Sequence, residues 1–251
     1  MLPAQPETLA LLLGLVLLVS LVYSSVGHGG ASGYLAVLSF FGVAPAVMAS
    51  SALGLNLLVA GISFLTYWRA GHFSFPLLWP FLGSAPFALL GGLLRVSPAA
   101  YNLLLSAVLL FAAYRLLAVT PAAPEESLQR APRMRVALPL GAGIGFLSGA
   151  VGVGGGIFLS PLLILFKWAD AKRTAAVSAA FIWVNSAAGL YGHLLRQKPE
   201  WASLVWLVMA AFTGGLVGSY LGARRFRALW LRRILGCVLL LAALKLLRGV
   251  I

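Results

Sequence analysis

Apolar residues in this chain do not alternate with polar ones; they run together in long blocks separated by short polar stretches. Ten blocks can be read, at about 8–25, 31–43, 46–68, 75–94 and 99–118, then 136–150, 156–166, 171–192, 201–222 and 231–248. Most approach the roughly 20 residues that cross a bilayer as a helix. The second block of each set is too short: at about 1.5 Å per residue it falls well below the ~30 Å hydrocarbon core. Between the first and second blocks the chain reads Val26-Gly27-His28-Gly29-Gly30, and later Val151-Gly152-Val153-Gly154-Gly155-Gly156. Glycine runs free backbone groups that lipid cannot satisfy, so two such breaks at matching places predict broken or re-entrant helices.

The hydrophilic stretch Thr120–Arg135 divides the pattern into two similar halves. The expected organisation is a first membrane repeat over 1–118, a cytoplasmic linker over 119–135 and a second membrane repeat over 136–251. Five segments per half is an odd number, so the halves should lie inverted relative to each other. The predicted fold is therefore an all-α polytopic membrane protein of two inverted repeats, each opening with a Gly-broken or re-entrant pair. The glycine ladders Gly141/Gly145/Gly149 and Gly214/Gly218/Gly222 are expected to be packing faces, where small residues let backbones approach.

Composition narrows the class. Of 251 residues, 61% are hydrophobic and 9% charged, with a mean hydropathy of +1.00; a soluble domain averages about 25% charged. The net charge of +13, from 18 basic and 5 acidic residues, would suit nucleic acid if it were clustered. It sits instead between apolar blocks, which points to membrane topology and excludes a nucleic-acid partner. Counting loops alternately, thirteen basic residues fall in one set and five in the other. The richer set should be cytoplasmic, which places both termini outside the cytoplasm. The lone Cys237 supports neither a disulfide framework nor a zinc site. Residues 1–8 carry no Lys or Arg, so no cleavable leader is expected.

All five acidic residues, Glu7, Glu125, Glu126, Asp170 and Glu200, fall in tails or loops. Cation transporters and proton relays keep carboxylates inside the membrane, so their absence from the blocks favours an anionic or neutral substrate. Polar groups that do fall in blocks include Ser51, Asn56, Asn102, Ser178 and Asn185. Asn102 reads as helix-to-helix glue. Ser51, Asn56, Ser178 and Asn185 lie one segment after the breaks, where helix glue and site lining are both consistent with their positions. His28 either satisfies carbonyls freed by the break or contacts substrate and takes up a proton, since an unperturbed imidazole titrates near pH 6.5. The substrate-binding candidates are thus Gly27, His28, Gly29, Gly30, Ser51 and Asn56, with Gly152, Gly154, Gly155, Gly156, Ser178 and Asn185. A helix starting just after each glycine run offers unpaired N–H groups and about +0.5 charge to an anion. No catalytic residue, metal ligand or cofactor is expected.

The run Gly145-Phe-Leu-Ser-Gly-Ala-Val-Gly-Val-Gly-Gly-Gly-Ile-Phe-Leu-Ser-Pro161 resembles the signature of the TauE/SafE family of membrane proteins. Ala176-Val177-Ser178, Gly189, His193 and Trp201 follow at comparable spacing, and Ser24–Gly33 with Ala49-Ser50-Ser51 form a weaker first copy. His28 and Val177 depart from the residues common there. The resemblance covers nearly the whole chain. It implies a multi-pass transporter of the bacterial cytoplasmic membrane for small sulfur-containing anions, of the sulfite, thiosulfate and short sulfonate kind. Proton coupling and homodimerisation are left open. Two other classes remain: a passive anion channel, and a rhomboid-like intramembrane serine protease, since Gly30-Ala31-Ser32-Gly33 fits G-x-S-G and a membrane histidine could complete a dyad.

Overall fold

The computed structural model describes residues 5–118, 132–196, 204–224 and 229–248. The expected linker lies outside these residues up to position 131, as do positions 201–203 of the ninth apolar block. All regular structure among the described residues is helical. In chain order the helices are α1 (Pro6–Ser24), α2 (Ala31–Phe40), α3 (Pro45–Arg69), α4 (Phe75–Leu78), α5 (Ser84–Leu93), α6 (Pro98–Leu117), α7 (Met134–Val151), α8 (Gly156–Leu165), α9 (Ala171–Arg196), α10 (Val205–Arg224) and α11 (Leu229–Arg248). Starts are marked by proline, whose missing N–H costs nothing in a first turn: α1, α3 and α6 each carry it there. At α6 the Ser97 hydroxyl also accepts from Ala100 N at 3.3 Å.

Among the described residues six helices (α1, α3, α6, α7, α9 and α10) are long and apolar enough to cross a membrane, and α4 with α5 makes a seventh if counted as one span. The protein is a multi-pass membrane protein. The fourth block, read as one segment over 75–94, is bent by 44° where the α4 end meets α5. A 3₁₀ turn at Trp79–Phe81 contains Pro80, which cannot donate to the helical ladder. Helix α11 carries Arg232 and Arg233 near its start and Lys245 and Arg248 near its end, and falls outside the set of apolar spans.

Helices α2 and α8 have ten residues each, about 15 Å, half a bilayer core. A half-helix survives at membrane depth only inside protein. Accordingly Ala31 through Ser39 are all buried, and in α8 so are Gly156, Ile157, Leu159, Ser160, Pro161 and Leu163.

The main pairings are α1 with α10, α5 with α7, α3 with α9 and α6 with α11, supported by α5 with α9 and α10 with α3. Exchanging the halves turns α1–α10 into α7–α5 and α3–α10 into α9–α5, so the set of pairings maps onto itself. Gly214 packs on Leu17 and Ser20, Gly218 on Leu21 and Ser24, and Gly222 on Ser25. Gly145 likewise packs on Ser84, and Gly149 on Ala88 and Gly92. Both glycine ladders are backbone-to-backbone contact faces, as their spacing predicts. Along α3, Leu53 meets Gly189, Asn56 meets Ser186 and Gly61 meets Trp183, so α3 and α9 run antiparallel.

Basic side chains close helix C-termini, where unpaired carbonyls carry partial negative charge. The Lys245 ammonium donates to Ser39 O (2.8 Å) and Phe40 O (3.2 Å) at the end of α2. Lys172 does the same for Ala223 O (3.0 Å) and Arg224 O (3.2 Å) at the end of α10. Arg196 donates to Gly92 O (3.0 Å) and Leu94 O at the end of α5.

Candidate functional site

Helix α1 gives out at Ser24 and α7 at Val151, and in each case a glycine turn reverses the chain into a short helix. Gly30 and Gly155 are the residues immediately before α2 and α8, and both are left-handed, with φ of 99° and 82°. A side chain there would be strained by its own backbone. It would also be crowded: a Cβ on Gly30 would approach the Tyr34 ring at 2.9 Å, and one on Gly155 would approach Ile144 and Phe181 at 2.9 Å.

Each break leans on the opposite half. A Cβ on Gly27 would strike the Ala175 backbone in α9, and one on Gly152 would sit 2.8 Å from Ala49 Cα in α3. The two contacts correspond under exchange of the halves. Ala175 and Ala49 lie near the starts of α9 and α3, and from these opposite ends of the pair the two turns run inward until Gly29 and Gly154 meet.

Asn56 stands at that meeting. It is 1% exposed. Its Oδ1 accepts from Ala31 N at 3.2 Å, capping α2, and its Nδ2 donates to Ser186 Oγ on α9 at 2.8 Å. Gly29 of the first break and Gly154 of the second both lie against its side chain. One buried amide thus joins both breaks to both third helices. Where the exchange of halves would put its counterpart stands Ile182, against Gly154 and Gly156; Asn185, three positions on, donates Nδ2 to Phe181 O of its own helix at 2.9 Å, while its Oδ1 is buried without a hydrogen-bond partner. Helix α8 consequently lacks the amide cap that α2 has: the amides of Gly156 and Ile157 have no partner among the described residues, and Phe158 N and Leu159 N turn back to Gly155 O.

His28 crosses between halves. Its Nδ1 lies 3.0 Å from Val26 O in its own break, and its Nε2 lies 3.3 Å from Gly156 O and 3.0 Å from Ser160 Oγ in α8. Ser160 Oγ in turn donates to Ser178 Oγ on α9 at 2.8 Å. Ser51 is buried with its hydroxyl unpartnered, as is Ser148 Oγ, which would lie 3.0 Å from a Cβ on Gly155. A buried hydroxyl normally finds an acceptor, so the unmet Ser148 Oγ beside the second glycine turn marks a place able to hold a polar guest.

The structure brings together Gly27, His28, Gly29, Gly30 and Asn56 with Gly152, Gly154, Gly155, Gly156 and Ser178, while the contacts of Ser51 and Asn185 tie neither to a break. Sequence reasoning missed Ser148, Ser160 and Ser186 as neighbours of the turns. Ser148 and Ser160 lie inside the Gly145–Pro161 run, and the signal that could have found them is that they flank the glycines by four to eight positions on helices that must fold back together. Asn102, read as helix glue, has no partner for its Oδ1. Ser32 bonds Tyr23 OH at 2.6 Å instead of an imidazole, so the dyad of a serine protease is not assembled there. The acidic residues described lie elsewhere: Glu7 is in the first turn of α1, and Asp170 accepts from Lys172 N (2.8 Å) and Arg173 N (2.9 Å) at the start of α9.

Comparison with known proteins places the chain in a family. The family model described as sulfite exporter TauE/SafE matches residues 12–246. Probable membrane transporter protein y4hK of Sinorhizobium fredii is 34% identical over 232 residues, covering 91% of this chain and 94% of the relative. Probable membrane transporter protein YunE of Bacillus subtilis is 29% identical over 103 residues, 41% of this chain and 37% of that protein. No solved structure matches this chain significantly. The chain belongs to the TauE/SafE family of membrane transporters.

Proposed function

We propose that the chain is a secondary transporter that moves small sulfur-containing anions, such as sulfite, thiosulfate or a short sulfonate, across the bacterial cytoplasmic membrane. The observation that carries this reading is the convergence of both glycine breaks on Asn56 near the middle of α3. There two half-helices begin, and a helix start presents unpaired N–H groups and about half a positive charge. Such an end holds an oxyanion without a buried arginine, whose desolvation would be costly. The uncapped start of α8, with Ser148 beside it, is the part of the site best provided with free donors.

The antiparallel run of α3 against α9, with pairings preserved on exchanging the halves, supports an inverted repeat. A site between inverted halves can open to one side and then the other as they rock. Three contacts support the assignment of sides. Lys172 with the α10 end, Arg196 with the α5 end beside Arg95, and Lys245 with the α2 end each join groups that loop charge places on the same side. On that assignment both termini face away from the cytoplasm. Asn56, Ser51, Ser178 and Asn185 are all at most 1% exposed, a closed arrangement that suits alternating access better than a standing pore.

The test is flux in proteoliposomes across sulfite, sulfate, thiosulfate, sulfoacetate and taurine, with and without a pH gradient. The expected result is saturable uptake of at least one sulfur oxyanion and little of zwitterionic taurine. Non-saturating flux would favour a channel, and no flux of any of the five would overturn the reading.

A further inference from the structure

The second half has Val153 where the first half has His28, so the imidazole has no counterpart under the exchange that relates most of the site. Its surroundings constrain its charge. Nδ1 faces the carbonyl of Val26 at 3.0 Å, and Nε2 faces the carbonyl of Gly156 at 3.3 Å. Carbonyl oxygens only accept, whereas a neutral imidazole has one N–H and one lone pair. In the neutral ring one nitrogen therefore sets its lone pair against a carbonyl oxygen. The protonated ring donates at both ends and satisfies both.

The third neighbour makes the two states differ at a distance. Ser160 Oγ lies 3.0 Å from Nε2 and donates its proton to Ser178 Oγ at 2.8 Å. With Ser160 so turned, Nε2 must be the donor toward it. If Nε2 loses its proton, Ser160 satisfies it by turning its hydroxyl back toward the ring, leaving Ser178 without that donor. The ring's charge state thus sets the direction of a hydroxyl chain that runs from the first half, through α8, into α9. Around the ring, α1 contributes Tyr23, whose ring centre lies 6.3 Å away and whose hydroxyl is bonded to Ser32, α8 contributes Ser160, and α9 contributes Ser178. Of these three side chains only the tyrosine is ionisable.

We propose that His28 is a proton-binding site that ties the two halves together when charged and, by releasing its proton, turns Ser160 and frees Ser178. A charged imidazole next to the start of α8 also adds a full positive charge beside an anion held there. Proton and anion then favour each other's binding, and by linkage each raises the other's affinity by the same factor. This second step rests on the transporter reading above; the protonation state of the ring does not.

The two are tested apart. The chain has three histidines, so ¹⁵N-histidine NMR of the full-length protein in lipid nanodiscs, with His28→Gln for assignment, reads the ring directly. The expected result is a His28 ring protonated at both nitrogens at the acid end of the range from about pH 5 to 8, then losing Nε2–H while keeping Nδ1–H. A single neutral tautomer across that range overturns the proposal, whatever transport shows. In thiosulfate flux, whose substrate does not titrate near neutrality, the wild type should lose roughly tenfold per pH unit on the alkaline flank, and His28→Gln should be flat. Wild-type flux that is independent of pH, with the ring titrating, would overturn the coupling while sparing the transporter reading. Equal pH profiles in wild type and His28→Gln would do the same.

Discussion

The claim that each break is packed on the opposite half can be separated from the mere preference of a turn for glycine, because four glycines isolate the contributions. Gly14 lies within α1 with nothing within 4 Å of a Cβ, and its φ is not positive. Gly14→Ala should be neutral or stabilising by up to about 1 kcal/mol, since alanine loses less backbone freedom in a helix. Gly42 has a φ of +70° and open space around it, so Gly42→Ala costs the left-handed strain alone, about 1–2 kcal/mol. Gly27 (φ +75°) and Gly152 (φ +88°) carry the same strain, and in addition a Cβ meets the backbone of Ala175 or Ala49. Backbone of a packed helix cannot swing aside as a side chain would, which adds about 1–3 kcal/mol of overpacking. Gly27→Ala and Gly152→Ala should each lose about 2–5 kcal/mol. The assay is thermal unfolding in detergent by tryptophan fluorescence, compared at one scan rate because such unfolding is irreversible. For a chain of this length about 2–4 °C accompanies each kcal/mol. The expected order of melting temperature is Gly14→Ala, then Gly42→Ala, then the two break variants well below. If Gly27→Ala and Gly152→Ala melt no lower than Gly42→Ala, the breaks do not bear on the opposite third helices and the site is wrongly built.

Asn56→Ala should lower stability by about 1–3 kcal/mol, because Ala31 N and Ser186 lose a buried partner, while Asn102→Ala should fall within about 0.5 kcal/mol of wild type. Equal effects at the two positions, in the same melting assay, would remove Asn56 from the centre of the site. For topology, cysteines replacing Glu126 and Arg227 should resist an impermeant thiol reagent added outside intact cells, and one replacing Glu200 should react. Labelling at Glu126 from outside would reverse the assignment of sides.

Most of the fold was legible because each apolar block is bounded by residues whose chemistry stops a helix in lipid. Pro6, Pro45 and Pro98 begin helices, and the breaks at Gly27–Gly30 and Gly152–Gly156 end α1 and α7 where the spacing predicts. The bend in the fourth block was not read, although Pro76, Pro80 and Pro86 stand within it; apolarity shows that a segment is buried, not that it is straight. At the site, the sequence offered the glycines and the polar residues one segment later, but not which of them meet. Asn56 and Asn185 look equivalent as letters. Their different roles follow from register: aligning the two halves sets Ile182 opposite Asn56, so Asn56 reaches Ala31 and Ser186 while Asn185, three positions on, folds back on Phe181. The reach of His28 to Ser160, across 132 positions, was hidden for the same reason: pairing between halves is a tertiary fact with no periodicity to betray it.

Anion binding at the two glycine turns is tested most directly at Gly30 and Gly155. Gly30→Val and Gly155→Val place a β-branched side chain where the backbone is left-handed and the start of a half-helix must stay open. Reconstituted in proteoliposomes and checked as monodisperse, helical protein, each variant should lose saturable sulfite and thiosulfate uptake together with equilibrium binding of the anion, while wild type keeps both. Wild-type affinity for the anion in both folded variants would contradict a site at these helix starts.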